Sequence, residues 1–315
     1  MIVIAPDKYK GTLSAREAAK VIASAIPARY DRIMLPMADG GEGTAQVLCS
    51  GPEWQQRDCY YVDSRRKVAV INSSDVIGIG KVSGVMSATS APLGVKVREI
   101  LKSGCGKVVI GVGGTGTCDG GEGFLDALGT GGQLLYCRNK IVGLCDVRVP
   151  LLAPAGEPSA LMFAAQKGAT GEDMPRLRQR LSLVEARFGS GKSPWDGAGG
   201  GLGYAIASVL GGVCHDGAEY VLRSYDIRWE DVSLVVTGEG SIDRQTKQGK
   251  VVETVRRVAS DHGVPVVAFG GTVIPEMRDT YNISTDEYLP DRPLTPATAA
   301  LRLRVAVAAY FGDRD

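Results

Sequence analysis

Residues 107–129 read KVVIGVGGTGTCDGGEGFLDALG and decide how the fold is interpreted. The β-branched run that follows Lys107 predicts a buried strand, and Phe124, Leu125 and Leu128 share one face of a predicted helix. Seven glycines separate the two patterns. Such a loop leaves backbone N–H groups free at a helix N-terminus, where they favour an anion. The stretch therefore predicts an α/β fold with a phosphate or carboxylate site at the end of a strand.

The same loop allows a second interpretation, since residues 111–116 match the GxGxxG spacing of dinucleotide-binding folds. The segment about twenty residues further on, residues 134–138, lacks the Asp or Glu that binds ribose. Its Arg138 would suit a 2′-phosphate instead. Three more glycines, between residues 120 and 123, would weaken the helix that this fingerprint requires. A dehydrogenase is therefore the weaker alternative.

The composition predicts a small ligand. Lysine plus arginine (36) nearly balances aspartate plus glutamate (35), which removes the electrostatic argument for a nucleic acid or an anionic membrane as partner. No apolar run approaches the length of a membrane span, and the run before Pro6 is too short for a secretion signal, so we expect a cytoplasmic protein. The seven cysteines contain no CxxC pair, which argues against a zinc site or a disulfide framework.

Short strands near both ends of the chain run into polar loops. They are predicted at Ile2–Ala5, Ile33–Leu35, Leu234–Thr237 and Val264–Phe269. In an open parallel sheet the ligand crevice lies beyond the carboxyl ends of the strands, so these loops should face one place. We therefore predict an α/β fold with a Rossmann-like parallel-sheet domain built from both chain ends, residues 1–64 plus 231–315. Residues 65–230 would form an inserted second α/β domain with glycine-rich loops.

Carboxylates and lysines dominate the predicted loops, whereas the chain has only two histidines. The carboxylates best placed to share a metal or act as a base are Asp39, Glu42, Asp119, Asp146, Glu239 and Asp243. The lysines near glycines, where a cation can meet a phosphate, are Lys10, Lys167 and Lys250, with Lys8 as a further candidate. Any single loop is equally well interpreted as a plain turn. Together the loops favour phosphoryl transfer, which needs positioning, Mg²⁺, positive charge and a carboxylate near the acceptor hydroxyl.

Seven motifs occur in the order seen in the bacterial glycerate kinase type-1 family, and this resemblance spans nearly the whole chain. They are PDKYKGTLSA (6–15), MADGGEGT (37–44), GVGGTGTCDGGEG (111–123), CDVRVPL (145–151), QKGA (166–169), GAGGGLG (197–203) and TGEGSIDRQTKQGK (237–250). The resemblance implies transfer of the γ-phosphoryl group of ATP to D-glycerate with Mg²⁺, typically giving 2-phosphoglycerate. It also implies a Rossmann-like domain from both chain ends, an inserted α/β domain and an active site between them.

The resemblance places eight charged residues at motif positions: Lys10, Asp39, Glu42, Asp119, Asp146, Glu239, Asp243 and Lys250. We predict catalytic roles for Asp146, Asp39 and Lys10, with Asp146 or Asp39 nearest the acceptor hydroxyl and Lys10 on the substrate carboxylate or phosphate. The predicted metal ligands are Glu239 and Asp243. The predicted substrate- or phosphate-binding residues are Lys8, Glu42, Gly113, Gly114, Thr115, Gly116, Asp119, Lys167, Gly199, Gly200 and Lys250.

The chain also departs from the pattern that it resembles. The family usually has Ser at Lys8, Asn at Cys118 and an Ile-Glu-Met-Ala-like segment where residues 71–74 read Ile-Asn-Ser-Ser. The chain is shorter than usual members. These changes leave the acceptor acid open between glycerate and a related hydroxy acid, and Lys8 would add a charge that suits a more acidic acceptor. The alternative function is a catalytically diverged protein that binds glycerate or nucleotide and keeps the fold. The oligomeric state, a homodimer included, is left open.

Overall fold

The computed structural model describes residues 1–154, 156–244, 250–279 and 281–312, so residues 245–249 of the last motif lie outside the described part. The chain forms two compact units. Unit 1 comprises Met1–Asp39 and Ala218–Asp315, and unit 2 comprises Gly40–Gly217. None of the helices in the described part is long and apolar enough to cross a membrane.

Strands and helices alternate along much of the chain. The strands are β1 (Ile2–Ile4), β2 (Arg32–Met34), β3 (Gln55–Arg57), β4 (Tyr60–Asp63), β5 (Val68–Asn72), β6 (Lys107–Gly111), β7 (Ile141–Cys145), β8 (Val213–Asp216), β9 (Leu234–Ile242), β10 (Val266–Val273) and β11 (Asn282–Ser284). The α-helices are α1 (Ala15–Ala25), α2 (Thr44–Leu48), α3 (Ser74–Ile77), α4 (Ala91–Lys102), α5 (Glu122–Leu128), α6 (Gly132–Cys137), α7 (Met174–Phe188), α8 (Leu202–Tyr204), α9 (Gly217–Ser224), α10 (Val251–Asp261) and α11 (Pro296–Gly312).

The sheet of unit 1 has the strand order β11-β10-β9-β1-β2, and every neighbouring pair is parallel. Its central strands are apolar and buried, as expected for parallel strands that are covered on both faces. Helix α1 begins at a capping box, in which Ser14 and Glu17 satisfy each other's backbone N–H groups. The apolar face of α1 and the long helix α11 pack in one core with Ile4 and Phe269. Because β1 is paired in parallel with both β2 and β9, the carboxyl ends of these three strands lie at one edge of the sheet.

The sheet of unit 2 has the strand order β3-β4-β5-β6-β7-β8. Strands β5 to β8 are parallel, whereas β3 and β4 form an antiparallel extension on β5. Strand β6, the loop after it and helix α5 are the strand, glycine loop and helix that the opening stretch predicts. The predicted fold class, a parallel-sheet α/β protein, is confirmed.

The unit boundaries differ from the predicted domain boundaries. The sequence predicts changes at residues 64/65 and 230/231, and the structure divides the chain at 39/40 and 217/218. Strands β3 and β4 account for the first difference, because they pair into the sheet of unit 2. Helix α9 accounts for much of the second, since all but its first residue belong to unit 1.

Candidate functional site

The carboxylate cluster of unit 1 consists of Asp7, Lys8 and Asp39, at the carboxyl ends of β1 and β2. The Asp7 N–H donates to the Gly238 carbonyl at 2.8 Å, which fixes the loop against β9. The Lys8 N–H donates to Asp7 Oδ1 at 2.7 Å. Lys8 Nζ lies 3.6 Å from Asp7 Oδ2 and 3.3 Å from Asp39 Oδ1. One ammonium group therefore bridges two carboxylates from the ends of neighbouring strands.

Burial makes Asp7 an unusual carboxyl. The side chain is almost wholly inaccessible, and this desolvation raises the pKa of Asp7 to about 7, with Lys8 opposing the shift and Asp39 adding to it. The Tyr9 hydroxyl next to it donates to the Phe269 carbonyl at 2.6 Å. Burial, then the charges of Glu239 and Asp7, raise the pKa of Tyr9, so its hydroxyl stays a neutral donor. Asp7 can thus exchange a proton near neutral pH.

The sequence did not single out Asp7, although it stands in the quoted motif PDKYKGTLSA. The available signal was its position directly after a fully apolar strand, at the edge where parallel sheets bind ligands. What distinguishes Asp7 from the exposed carboxylates of the chain is burial beside Asp39. That depends on the packing of β1 between β2 and β9 and has no local pattern.

The other residues predicted from unit 1 take up different positions. Lys10 is exposed, and Lys250 is half-buried at the N-terminal cap of α10. Glu239 is buried in β9, and Asp243 follows that strand with a carboxylate oxygen 3.2 Å from Ser241 Oγ. Residues 239 and 241 share one face of β9, because side chains alternate along a strand, and Asp243 is the first residue beyond that strand. These predicted roles stay predictions.

Glu239 and Asp243 suit the predicted magnesium ion in their chemistry. Among the described residues, no group of three or more His, Cys, Asp or Glu side chains is placed to hold a metal. Mg²⁺ is usually held by one or two carboxylates together with waters and substrate phosphates. Glu239 in β9 and Asp243 just after it therefore supply the kind of donor atoms that Mg²⁺ takes from a protein.

The glycine-loop cluster of unit 2 is formed by residues 113–117 with Gly41, Ser74, Asp146 and Lys167. The Gly113 N–H donates to the Gly40 carbonyl at 3.0 Å. A Cβ atom at position 113 would lie 3.0 Å from Gly41 Cα and 3.4 Å from Asp146 Oδ2. Asp146 directly follows β7, so its carboxylate lies against a loop that leaves β6. The ends of adjacent strands thus bring Asp146 to the glycine loop.

Gly114 and Lys167 occupy the next part of this cluster. Gly114 has a φ of +78°, a left-handed conformation that favours glycine, and a Cβ atom there would lie 3.2 Å from Ser74 Cβ. Lys167 Nζ donates to the Thr117 carbonyl at 2.8 Å and lies 3.4 Å from Thr115 Oγ1. Gly200 is also close to this lysine, since a Cβ atom at position 200 would lie 3.0 Å from Lys167 Nζ. A lysine is therefore held over the glycine loop by the backbone.

The cluster contains most of the predicted binding residues of unit 2. Five of them come together: Gly113, Gly114, Thr115, Lys167 and Gly200. Gly116 follows Thr115 in the chain, and Gly199 precedes Gly200. Glu42 is exposed, one residue beyond Gly41. Its binding role stays a prediction.

Asp119 is held inside unit 2. Its carboxylate accepts hydrogen bonds from Ser90 N at 2.7 Å, Ser90 Oγ at 2.8 Å, Gly121 N at 3.2 Å and Gly123 N at 3.3 Å. These contacts join the glycine-rich stretch to the start of α4. The predicted role of Asp119 in substrate binding stays a prediction, and the structure gives this residue a bracing role.

Cys118 stands where the resembled pattern has Asn. It is fully buried, and burial raises the pKa of its thiol, although Lys167 acts in the opposite direction. The buried thiol therefore remains neutral beside Lys167.

Sequence reasoning also missed four hydroxyl groups of unit 2. Thr44 Oγ1, Ser73 Oγ, Ser74 Oγ and Thr117 Oγ1 are buried and have no hydrogen-bond partner among the described residues. Asn72, in contrast, accepts from Ala45 N at 2.8 Å and donates to Gln46 and Asp75. For Ser73 and Ser74 the sequence signal was that residues 71–74 depart from the resembled pattern, whereas Thr44 and Thr117 stand inside quoted motifs.

Comparisons with known proteins agree on one family. The model of the "Glycerate kinase family" matches residues 2–135 and 133–303. The chain is 31% identical to the glycerate kinase of Bacillus subtilis (strain 168), with 99% of this chain and 95% of that protein covered. It is also 31% identical to the glycerate 2-kinase of Escherichia coli (strain K12), with 88% and 86% covered.

A solved structure gives the same result. It is that of a protein assigned as a glycerate kinase 2 from Salmonella typhimurium LT2, with a TM-score of 0.74 and 27% identity. The match covers 99% of this chain and 97% of that one. The resemblance predicted from the seven motifs is confirmed.

Proposed function

Because this chain belongs to the glycerate kinase family and is a glycerate kinase enzyme, we propose that it transfers the γ-phosphoryl group of ATP to D-glycerate and forms 2-phosphoglycerate. The observation that carries the proposal is the glycine-loop cluster. There a carboxylate, Asp146, and a cation, Lys167, both lie against one loop that follows a parallel strand. Phosphoryl transfer needs those two groups and a close-approaching backbone more than it needs covalent chemistry.

Each group has a distinct part in this proposal. Asp146 accepts the proton of the attacking hydroxyl group of glycerate, as a general base positioned beside Gly113. Lys167 stabilises the negative charge on the phosphoryl oxygens. The glycines at 113 and 114 carry no side chain, so a ligand oxygen can approach the backbone closely.

Unit 1 would supply the metal ligands, and the pairing of Lys8 bears on the choice of acceptor. Glu239 and Asp243 would hold Mg²⁺, which when bound neutralises charge on the phosphate oxygens. Lys8 is already paired with Asp7 and Asp39, so its positive charge is offset within the cluster. This pairing favours D-glycerate over a more acidic acceptor.

The test is a direct assay of the purified protein with ATP, Mg²⁺ and D-glycerate. We expect ADP release that depends on all three, and phosphorus NMR should identify 2-phosphoglycerate as the product. A 3-phosphoglycerate product would correct the position of transfer. Absence of turnover with glycerate, tartronate and other small hydroxy acids would contradict the proposal. Tight binding of glycerate or ATP without ADP release would instead support the diverged binding protein.

A further inference from the structure

Two hydroxyl groups of the glycine-loop cluster are buried without a hydrogen-bond partner among the described residues. They are Ser74 Oγ and Thr117 Oγ1, and Thr117 is only 1% exposed. A buried hydroxyl group loses its hydrogen bonds to water, so proteins almost always provide a partner. Two unpaired hydroxyl groups in one cluster, that of Ser74 at the start of α3 and that of Thr117 in the loop after β6, are what a site for a bound ligand would leave.

The position of both residues agrees with a ligand site. Ser74 lies just beyond β5, and Thr117 lies in the loop after β6, the parallel neighbour of β5. Ligands of open α/β sheets bind beyond the carboxyl ends of such strands. Ser74 Oγ is 3.9 Å from where a Cβ atom of Gly114 would stand, and the Thr117 carbonyl accepts from Lys167 Nζ at 2.8 Å. Ser74 thus lies beside the loop at Gly114, and Thr117 is the loop residue whose carbonyl holds Lys167.

Ser90 carries another buried hydroxyl group of unit 2, and this group is paired. Ser90 Oγ donates to Asp119 at 2.8 Å and accepts from Phe124 N at 2.8 Å. The hydroxyl group of Ser90 is therefore fully bonded, whereas those of Ser74 and Thr117 have no partner among the described residues.

Charge determines the class of ligand. Lys167 is a cation next to Thr117, whereas the Asp146 carboxylate lies against Gly113 at the start of the loop. An anion is repelled by Asp146 and attracted by Lys167, so it binds toward residues 114–117. Hydroxyl groups and backbone N–H groups are the usual donors to such an oxyanion.

We propose that Ser74 and Thr117 are binding residues whose hydroxyl groups donate to the oxygens of an oxyanion held beside Lys167 on the glycine loop. This inference rests on the proposed function, because the oxyanion is then either a phosphate of ATP or the carboxylate of the hydroxy acid. The two sources share one chemistry and are separated by the test.

The test compares Ser74→Ala, Thr117→Val and the double variant with the wild type. Each single change should raise the KM of one substrate about tenfold, as expected for loss of a hydrogen bond to a charged group, and the double change should raise it further. A rise for ATP identifies the phosphate, and a rise for D-glycerate identifies the carboxylate. The same substrate should lose its stabilising effect on Tm.

Thermal unfolding without ligand separates binding from folding. Removal of an unpaired buried hydroxyl group should leave Tm unchanged or raise it. Ser87→Ala, which removes an exposed hydroxyl group bonded to the Ser83 carbonyl, is the control and should behave as wild type. Wild-type KM values for both substrates in all variants would overturn the inference, and so would a lowered Tm with unchanged KM.

Failure of the proposed function has a different signature. If the wild type turns over no hydroxy acid, but inorganic phosphate or ATP raises its Tm and not that of the double variant, the kinase activity fails and the oxyanion site stands. If the wild type phosphorylates glycerate and the variants match it in every measurement, only the oxyanion site fails.

Discussion

The polar edges of the two sheets are built from different chemistry. In unit 1, Asp7, Lys8 and Asp39 compensate one another within 3.6 Å, and the pKa of a buried carboxyl is raised to about 7. In unit 2, the loop is lined by glycines and neutral hydroxyl groups, with the Asp146 carboxylate against Gly113 and Lys167 held by the Thr117 carbonyl. Charge balance organises the first edge, and backbone shape organises the second. We therefore expect pH to affect unit 1. In unit 2, we expect effects from the addition of one atom or the loss of one hydrogen bond.

Asp146 tests the comparison most severely, because its carboxylate lies against the loop of unit 2 at Gly113. Asp146→Asn keeps the size of the side chain and removes the base. We expect kcat to fall by about 10² or more with little change in ATP binding. Steady-state kinetics with both substrates would measure this. The control is Asp126→Asn, which removes a carboxylate paired with Arg187 on the surface. An unchanged kcat would assign the base elsewhere.

Gly114 tests whether shape organises the edge of unit 2. Gly114→Ala forces a left-handed residue to carry a Cβ atom, at a cost of about 1–2 kcal/mol, and places that atom 3.2 Å from Ser74 Cβ. Gly84→Ala imposes a similar left-handed strain in open space. We expect only Gly114→Ala to lower kcat/KM, by about tenfold to a hundredfold. Equal effects of the two changes on kcat/KM would contradict a role for the close approach.

Asp7 tests the charge balance of unit 1. Its pKa is raised from 3.8 to about 7, so between these values the folded protein binds more protons than the unfolded chain. The Asp7 contribution to stability is therefore present in full below pH 3.8, falls as the pH rises toward 7, and is lost above that. We expect Asp7→Asn to flatten the decrease in the free energy of unfolding between pH 4.5 and 7, by roughly 1–3 kcal/mol. Urea unfolding across this range would measure it, and parallel curves for the two proteins would contradict it.

Lys8 gives the smallest expected effect. Its ammonium group lowers the pKa of Asp7 against the effect of burial. Lys8→Ser should therefore raise that pKa further and move the end of the pH-dependent decrease in stability above pH 7. The same unfolding series would measure the shift, with the exposed Lys20→Ser as a control. An unchanged profile would mean that Lys8 does not couple to Asp7 in solution.

Local patterns in the sequence predicted the elements that depend on neighbouring residues. The strand, loop and helix of residues 107–129 are formed by groups only a few residues apart. The resemblance of seven ordered motifs predicted the family, and the matches confirm it. The polar, exposed strand β3 carried no such signal, because its pairing with β4 and not its own residues makes it part of the sheet.

By itself, the sequence determined the α/β class, the glycine loops and the family, since each of these follows from residue type and spacing. Only the tertiary structure decided which of these residues act together. Asp119 turned out to brace Ser90, 29 positions away, and Asp7 acquired its raised pKa from burial beside Asp39. The physical reason is that pairing, burial and unsatisfied hydrogen bonds arise between segments distant in the chain. Residue type at one position cannot report them.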